Sequence, residues 1–146
     1  MTLATMMVAE ARRLRGVRFR HQGRHHEYGL DCLGLLVVVG SRCGITLAGQ
    51  SPHMIDRRDY SSRPDTVMLR EQLGRWLRPV TQPQPGDVLL LDILGEPQHL
   101  ALVSDYPHPA ALGMIHAYAP ARQVVEHRYD TAWQAATRCI FRLPQD

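Results

Sequence analysis

The apolar positions at the start of the chain recur at the spacing of a helix. Leu3, Met7, Ala11 and Leu14 lie three or four residues apart, so a helix over residues 3–15 would have one apolar face. Gly16, two residues beyond Leu14, can end the helix. The sequence therefore predicts that the chain begins with an amphipathic helix.

The apolar run from Asp31 to Val39 can be interpreted in two ways. Its leucines and valines are uninterrupted by charge, and its β-branched content is typical of a buried strand. Aspartate is also a residue type that often caps the N-terminus of a helix, and behind such a cap the same run would be a buried helix. Periodicity does not distinguish the two, so both interpretations stay open.

Two polar segments and a further helix complete the first part of the chain. Residues 17–29 and 48–64 contain turn-forming and charged residues, which predicts surface loops. Apolar residues at helical spacing then predict a second amphipathic helix, marked by Leu69, Leu73, Trp76 and Leu77.

The pattern changes to short apolar runs beyond a proline- and glycine-rich turn. These runs predict five strands: Val88–Leu94, Leu100–Ser104, Met114–Tyr118, Val124–Tyr129 and Cys139–Leu143. Helices followed by strands are typical of an α+β domain with an antiparallel sheet. Because the chain has 146 residues, no internal repeat and no linker, we expect a single domain over residues 1–146.

Composition excludes several classes of protein. The 45% of hydrophobic and 21% of charged residues are typical of a globular domain. No apolar run approaches the roughly 18 residues of a membrane-spanning helix, so membrane insertion is not expected. The arginines near the N-terminus follow the first apolar stretch instead of preceding it, which is the reverse of a signal peptide.

The net charge is +3, and the sequence contains arginine but no lysine. Six of the arginines lie within residues 12–24. Such a patch would suit nucleic acid, an acidic polymer or a carboxylate-rich protein, and by itself it does not choose among them. Nucleic-acid binding has no support besides these arginines, so it is not expected.

The three cysteines leave room for one reactive thiol. Cys32, Cys43 and Cys139 have no metal-type spacing and cannot all pair with one another. If Asp31 caps a helix, Cys32 lies in the first turn, where unpaired N–H groups and the helix dipole favour a thiolate. The alternative is that Cys32 is a small buried apolar residue, which is also how we interpret the other two cysteines.

Two histidines could serve such a thiol as base and orienting group. His99 opens one predicted strand, and His116 lies within the next. If the connecting turn covers residues 106–109, residue 103 pairs with 112 and the two imidazoles lie side by side. A structural role remains the alternative for each histidine taken alone.

The other histidines are predicted to be exposed. The stretch containing His21, His25, His26 and Glu27 lacks helical patterning and a zinc signature, so we interpret it as a solvated loop without a metal site. The remaining ones lie in turns or polar contexts: His53, His108 and His127.

Four blocks of the sequence resemble the NlpC/P60 family of cysteine peptidases. Residues 28–35 (Tyr-Gly-Leu-Asp-Cys-Leu-Gly-Leu) are similar to the segment around the family's catalytic cysteine. Residues 85–90 (Pro-Gly-Asp-Val-Leu-Leu) resemble its characteristic turn and strand. Residues 98–103 and 114–117 resemble its two histidine blocks. The blocks occur in the family's order and are specific when taken together.

The resemblance implies a papain-like fold, with a cysteine-bearing helix packed on a histidine-bearing sheet. It implies Cys32 as the nucleophile, His99 as the base and His116 as the orienting group, with neither a metal nor a cofactor. The implied substrate is the peptidoglycan stem peptide, cut between D-glutamate and a diamino acid.

Residues 16–24 and 139–144 are similar to the phage-tail and gene-transfer-particle branch of the family. This branch implies a virion location at the tail tip of a phage or phage-like particle, with tail-tip proteins as partners. The protein would be made in the bacterial cytoplasm and would act in the cell wall or periplasm. An external carrier agrees with the absence of a signal-peptide pattern. The alternative within this branch is a structural tail-tip assembly protein with vestigial or secondary hydrolysis.

Four further residues are candidates for contacts with the substrate or the oxyanion: Asp31, Leu33, Phe19 and Tyr28. Phe19 stands where many family members have a tyrosine whose hydroxyl assists the oxyanion. Tyr28 is near in sequence but is not expected at the same place. Leu33 replaces the commoner serine.

Overall fold

The computed structural model describes residues 2–47, 49–55, 66–93 and 96–144. The α-helices in these segments are α1 (Leu3–Arg13), α2 (Cys32–Arg42), α3 (Pro52–Ile55), α4 (Thr66–Trp76) and α5 (Thr131–Ala136). The strands are β1 (Arg24–His25), β2 (Gly29–Leu30), β3 (Arg78–Val80), β4 (Val88–Ile93), β5 (Glu96–Ser104), β6 (Gly113–Tyr118), β7 (Gln123–Arg128) and β8 (Thr137–Arg142).

Six strands form one antiparallel sheet in the order β3-β8-β4-β5-β6-β7. The short strands β1 and β2 pair separately, ahead of α2. The mixed composition of helices and an antiparallel sheet confirms the predicted α+β class. Among the described segments, no helix combines the length and the apolar character needed to cross a membrane.

Helices cover both faces of the sheet. On one face, α1 and α2 pack against the buried side chains of Leu102, Ile115 and Val124. On the other face, Trp133 of α5 packs against the cluster that contains Met114. Both strands of the hairpin β5–β6 have apolar contacts on each face of the sheet. Packing from the two faces therefore fixes the position of this hairpin.

Helix α1 forms as predicted because its apolar face has a core to cover. Met7, Val8 and Ala11 are buried against α2 and the sheet. At its N-terminus the side chain of Thr2 accepts a hydrogen bond from the N–H of Thr5, which satisfies one unpaired donor of the first turn.

The segment after Asp31 is a helix, which settles the choice that the sequence left open. The Asp31 carboxylate accepts the N–H of Gly34 at 2.8 Å and so caps α2. The helix is buried on most of its circumference, between α1 and the strands. Its sequence therefore lacks the polar stripe by which helices are recognised.

The predicted pairing of the two histidine-bearing strands is wrong by two residues. Val103 pairs with Met114, and not with residue 112, because the connection between the strands is longer than the predicted four-residue turn. A shift of two residues keeps every side chain on the same face of the sheet. The expected common face of His99 and His116 is therefore preserved.

Some elements were not predicted. Helix α5 and strand β3 were missed, and the predicted loop at 17–29 contains the short pair β1–β2. The short helix α3 falls within the predicted loop at 48–64, of which residue 48 and residues 56–64 lie outside the described residues. These elements are short, so periodicity has too few positions to reveal them.

An ion pair between a buried carboxylate and a half-buried guanidinium joins the start of β4 to the end of β8. The Asp87 carboxylate accepts two hydrogen bonds from the guanidinium of Arg142, each at 2.8 Å, and one from the N–H of Gln84. This contact with Asp87 raises the pKa of Arg142. The aspartate of the 85–90 block thus links two neighbouring interior strands of the sheet.

We expect Asp87→Asn to lower the free energy of unfolding by about 1–3 kcal/mol, because a buried charge-assisted contact is lost. Urea denaturation followed by circular dichroism measures this difference. Asp92→Asn is the matched control: Asp92 is exposed and 3.6 Å from Arg138, so its loss should change stability by less than about 0.5 kcal/mol. Equal effects of the two substitutions would contradict the structural role of Asp87.

Gly34 is required by the close approach of the preceding loop to α2. A Cβ atom at this position would collide with the carbonyl oxygen of Gly23 and would lie 3.1 Å from the guanidinium of Arg24. We expect Gly34→Ala to lower the free energy of unfolding by about 1–3 kcal/mol through overpacking.

Gly74→Ala in α4 is the control, since a Cβ there meets nothing within 4 Å. It should be neutral or stabilising by up to about 1 kcal/mol, because alanine favours the helix. Thermal melts of both variants measure the contrast, and a destabilised Gly74→Ala protein beside an unaffected Gly34→Ala protein would refute it.

Candidate active site

Cys32 is the first residue of α2 and is half-buried. Its side chain packs beside the apolar cluster that contains Leu90 and Leu100, on the central strands β4 and β5. At this position the unpaired N–H groups of the first turn and the helix dipole favour a negatively charged sulfur. The predicted location of Cys32 at a helix start is confirmed.

The carboxylate of Asp31 is buried and fully engaged in holding the start of α2. It accepts the N–H of Gly34 and the N–H of Gln22, each at 2.8 Å, and a hydrogen bond at 2.9 Å from the guanidinium of Arg24. The Arg24 side chain is itself buried. Asp31 therefore positions the cysteine and anchors the loop that precedes it.

His99 and His116 are completely buried and in direct contact. His99 Nε2 lies 2.5 Å from His116 Nδ1, and the two rings meet edge to face. Strand β5 carries His99 and strand β6 carries His116, and α2 packs against both strands. The predicted neighbourhood of the two imidazoles is confirmed, whereas the pairing of the Cys32 sulfur with the His99 ring stays a prediction.

His127 extends this contact to a third imidazole, contrary to the prediction that it is exposed. It is half-buried on β7, where it pairs with Met114, and its Nε2 lies 2.8 Å from His116 Nε2. The other two histidines of that prediction, His53 and His108, are exposed as expected. Alternation along β7 would have placed His127 on the face of His116, had the register between β6 and β7 been known.

The contacting rings of His99, His116 and His127 form a row that we call the imidazole chain. Trp133 of α5 covers two of these rings. Its indole ring lies 5.2 Å from the ring of His116 and 5.1 Å from that of His127, measured between centroids. The ring of Tyr118 lies 4.9 Å from that of His116, 5.5 Å from that of Trp133 and 5.8 Å from that of His99. Each of the three histidines therefore has an aromatic side chain against its ring.

Burial, together with the neighbouring His99 and His127, lowers the pKa of His116 to about 2. His116 is thus neutral throughout the ordinary pH range. A neutral imidazole has one N–H donor and one acceptor, so His116 must accept a hydrogen bond on one side and donate on the other.

The weaker candidates occupy different environments. Phe19 packs against the core cluster to which α1 and α2 contribute, and Leu33 packs against the same cluster as Cys32. Tyr28 is 61% exposed, and its ring lies 5.3 Å from that of His25. Substrate or oxyanion contacts of these residues stay predictions.

Much of the arginine patch is neutralised by acidic side chains of the chain itself. Arg12 binds Asp105 and the buried Glu126, and the hydrogen bond with Glu126 raises the pKa of Arg12. Arg15 also contacts Glu126, at 3.3 Å. The patch therefore presents less unpaired positive charge than the sequence suggests.

His25, His26 and Glu27 form an exposed group whose ligand atoms lie within 4.8 Å of one another. The N–H of Glu27 donates to His25 Nδ1 at 3.1 Å, so this ring nitrogen already has a backbone partner. This arrangement is an ordinary turn, and we assign no ligand to it.

Comparison with solved structures places the fold among NlpC/P60 domains. The chain is similar to the NlpC/p60 domain of peptidoglycan hydrolase SagA, with a TM-score of 0.58 and 20% identity over 96% of this chain and 98% of that one. It is also similar to an NLP/P60 lipoprotein-like protein of Staphylococcus aureus subsp. aureus Mu50, with a TM-score of 0.65 and 15% identity. That alignment covers 99% of this chain and 42% of the staphylococcal one.

No protein of curated function matches the sequence significantly. The model of the NlpC/P60 family, however, matches residues 16–142, which include the cysteine helix and the whole sheet. This chain therefore belongs to the NlpC/P60 family.

Proposed function

We propose that this protein is a peptidoglycan endopeptidase that uses Cys32 as nucleophile, His99 as general base and His116 as orienting group. NlpC/P60 membership makes a cell-wall peptidase the most plausible class. The observation that supports the assignment of residues is the buried contact between His99 and His116 on the strands against which α2 packs.

The position of Cys32 supports its role as nucleophile. A thiolate is the reactive form, and the start of a capped helix stabilises it. Burial and the negative charge of Glu10 raise the pKa of Cys43, so this thiol ionises less readily. Of these two cysteines, Cys32 is therefore the better nucleophile.

The geometry of His99 decides which ring nitrogen serves as base. Its Nε2 faces His116, so the thiol proton would go to Nδ1. The resulting imidazolium donates its Nε2–H to the neutral His116, which stabilises the charge and holds the ring in place. His116 thereby orients the base without exchanging a proton itself.

Catalysis would then follow two steps through an acyl-enzyme. The Cys32 thiolate attacks the amide carbonyl, and the His99 imidazolium gives its proton to the departing amine. A water molecule, deprotonated by His99, attacks the thioester and releases the acid and the thiol. N–H groups at the start of α2 would stabilise the oxyanion of each tetrahedral intermediate.

The substrate would be the stem peptide, cut between D-glutamate and a diamino acid. The resemblance of residues 28–35, 98–103 and 114–117 to the catalytic blocks of the family supports this bond. The similarity of residues 16–24 and 139–144 to the phage-tail branch supports delivery by a phage-like tail tip.

Cys32→Ala should abolish cleavage of purified muropeptides, because the acyl-enzyme of the proposed mechanism forms on the Cys32 sulfur. Mass spectrometry of the products measures the reaction and identifies the scissile bond. Cys43→Ala is the control and should retain activity. A thiol-directed alkylating reagent should modify Cys32 faster than Cys43.

Two outcomes would refute the assignment of the nucleophile: activity in Cys32→Ala, or faster alkylation of Cys43. A wild-type protein that is folded, binds tail proteins and cleaves no muropeptide would instead favour the structural tail-tip alternative.

The delivery proposal has its own test. Intact particles from a strain that produces this chain should contain it, in a fixed ratio to the tail-tip proteins, when they are analysed by quantitative mass spectrometry. Particles from a strain that produces Cys32→Ala should contain the same amount, because assembly does not need the thiol. Finding the chain only outside the particles would overturn delivery and leave the chemistry unaffected.

A further inference from the structure

The hydrogen bond at the far end of the imidazole chain has a fixed direction. His127 Nδ1 lies 2.8 Å from the carbonyl oxygen of Arg128. A carbonyl oxygen only accepts hydrogen bonds, so His127 Nδ1 must carry the proton and donate it. In a neutral His127, Nε2 is therefore unprotonated and acts as an acceptor.

This direction propagates along the chain of rings. When His127 is neutral its Nε2 accepts, so His116 Nε2 at 2.8 Å must donate to it. His116 is neutral, so its Nδ1 is then the acceptor for His99 Nε2–H. With Nε2 protonated, a neutral His99 has its basic lone pair on Nδ1, the nitrogen that the proposed mechanism uses.

A hydrogen-bond donor at position 127, in place of the acceptor Nε2 of His127, would reverse the direction of both hydrogen bonds between the imidazoles. If the group at position 127 donates to His116 Nε2, His116 Nδ1 must carry the proton and donate to His99 Nε2. A neutral His99 then has its proton on Nδ1 and cannot accept one from a thiol there. The hydrogen-bonding character at position 127 thus decides whether His99 is competent as a base.

The surroundings of the imidazoles favour one direction of these hydrogen bonds over a mixture of the two tautomeric arrangements. His99 and His116 are fully buried, and Trp133 covers His116 and His127. Between the two buried rings water competes weakly for the nitrogens, and hydrogen bonds in a chain polarise one another, so the bond that His127 makes to the Arg128 carbonyl at the exposed end biases the buried ones. The protein thereby holds one of two otherwise similar tautomers.

We propose that His127 is a positioning residue, whose bond to the Arg128 carbonyl fixes the tautomers of His116 and His99 and so directs the basic lone pair of His99 to Nδ1. The functional consequence rests on the proposed function, whereas the tautomers themselves do not. His127 contacts neither thiol nor substrate in this role and acts only through His116.

The direct test is ¹⁵N NMR of the imidazoles in the full-length protein at pH 8, with selectively labelled histidine. Protonated and unprotonated ring nitrogens have well-separated chemical shifts. We expect protons on Nδ1 of His127 and on Nε2 of His116 and His99. A proton on Nδ1 of His116 in the wild-type protein would overturn the proposal, whether or not the protein cleaves peptidoglycan.

The kinetic test compares an acceptor with a donor at the same position. The amide oxygen of His127→Gln can accept from His116, so this variant should keep kcat within about tenfold of wild type. The ammonium of His127→Lys can only donate, so kcat should fall by roughly a hundredfold or more, the scale of a general-base contribution, with KM changed by less than about threefold.

His108→Lys is the matched control for added charge, because His108 is exposed and outside the chain of rings. It should behave as wild type. Equal kcat values in folded His127→Gln and His127→Lys proteins would overturn the proposal. Should the lysine variant fail to fold, the tautomers of wild type decide the question. Activity in Cys32→Ala would instead refute the proposed function and leave the tautomer measurement valid.

Discussion

The cap that Asp31 provides at the start of α2 is the contact on which the rest of the site depends. One carboxylate satisfies a donor of the helix, a donor of the preceding loop and the guanidinium of Arg24. These bonds make an apolar, β-branched segment begin a helix at Cys32 instead of continuing as a strand. They also bring the loop so close to α2 that only glycine fits at position 34. Local helix formation and the placement of the thiol therefore have the same cause.

The sheet supplies the second half of the site by bringing together three imidazoles from three adjacent strands, with His99 and His116 fully buried and His127 half-buried. Burial keeps His116 neutral, and a neutral ring must donate on one side and accept on the other. The direction of the hydrogen bond to His99 is consequently coupled to the direction of the hydrogen bond to His127. A buried polar chain of this kind is costly unless every member is satisfied, which makes the Arg128 carbonyl at its end as important as the rings.

Charged residues outside this site mostly serve the architecture. Glu126 has almost no exposed side chain and binds Arg12 and Arg15, which attaches α1 to β7. Asp87 and Arg142 join the start of β4 to the end of β8 in a similar way. Several arginines that resemble a docking patch in the sequence are thus partners of internal carboxylates. A partner protein would meet a surface with a smaller positive charge than the sequence alone indicates.

The sequence by itself determined the α+β class, the helix at α1, most strands of the sheet and the candidate residues Cys32, His99 and His116. These features rest on local patterns and short motifs, which a chain displays without folding. Only the tertiary structure decided that the segment after Asp31 is a helix, that Val103 pairs with Met114, and that His127 joins the imidazole chain. Each of these depends on contacts between residues distant in sequence, and hydrophobic periodicity contains no information about strand register or about which element covers a buried run.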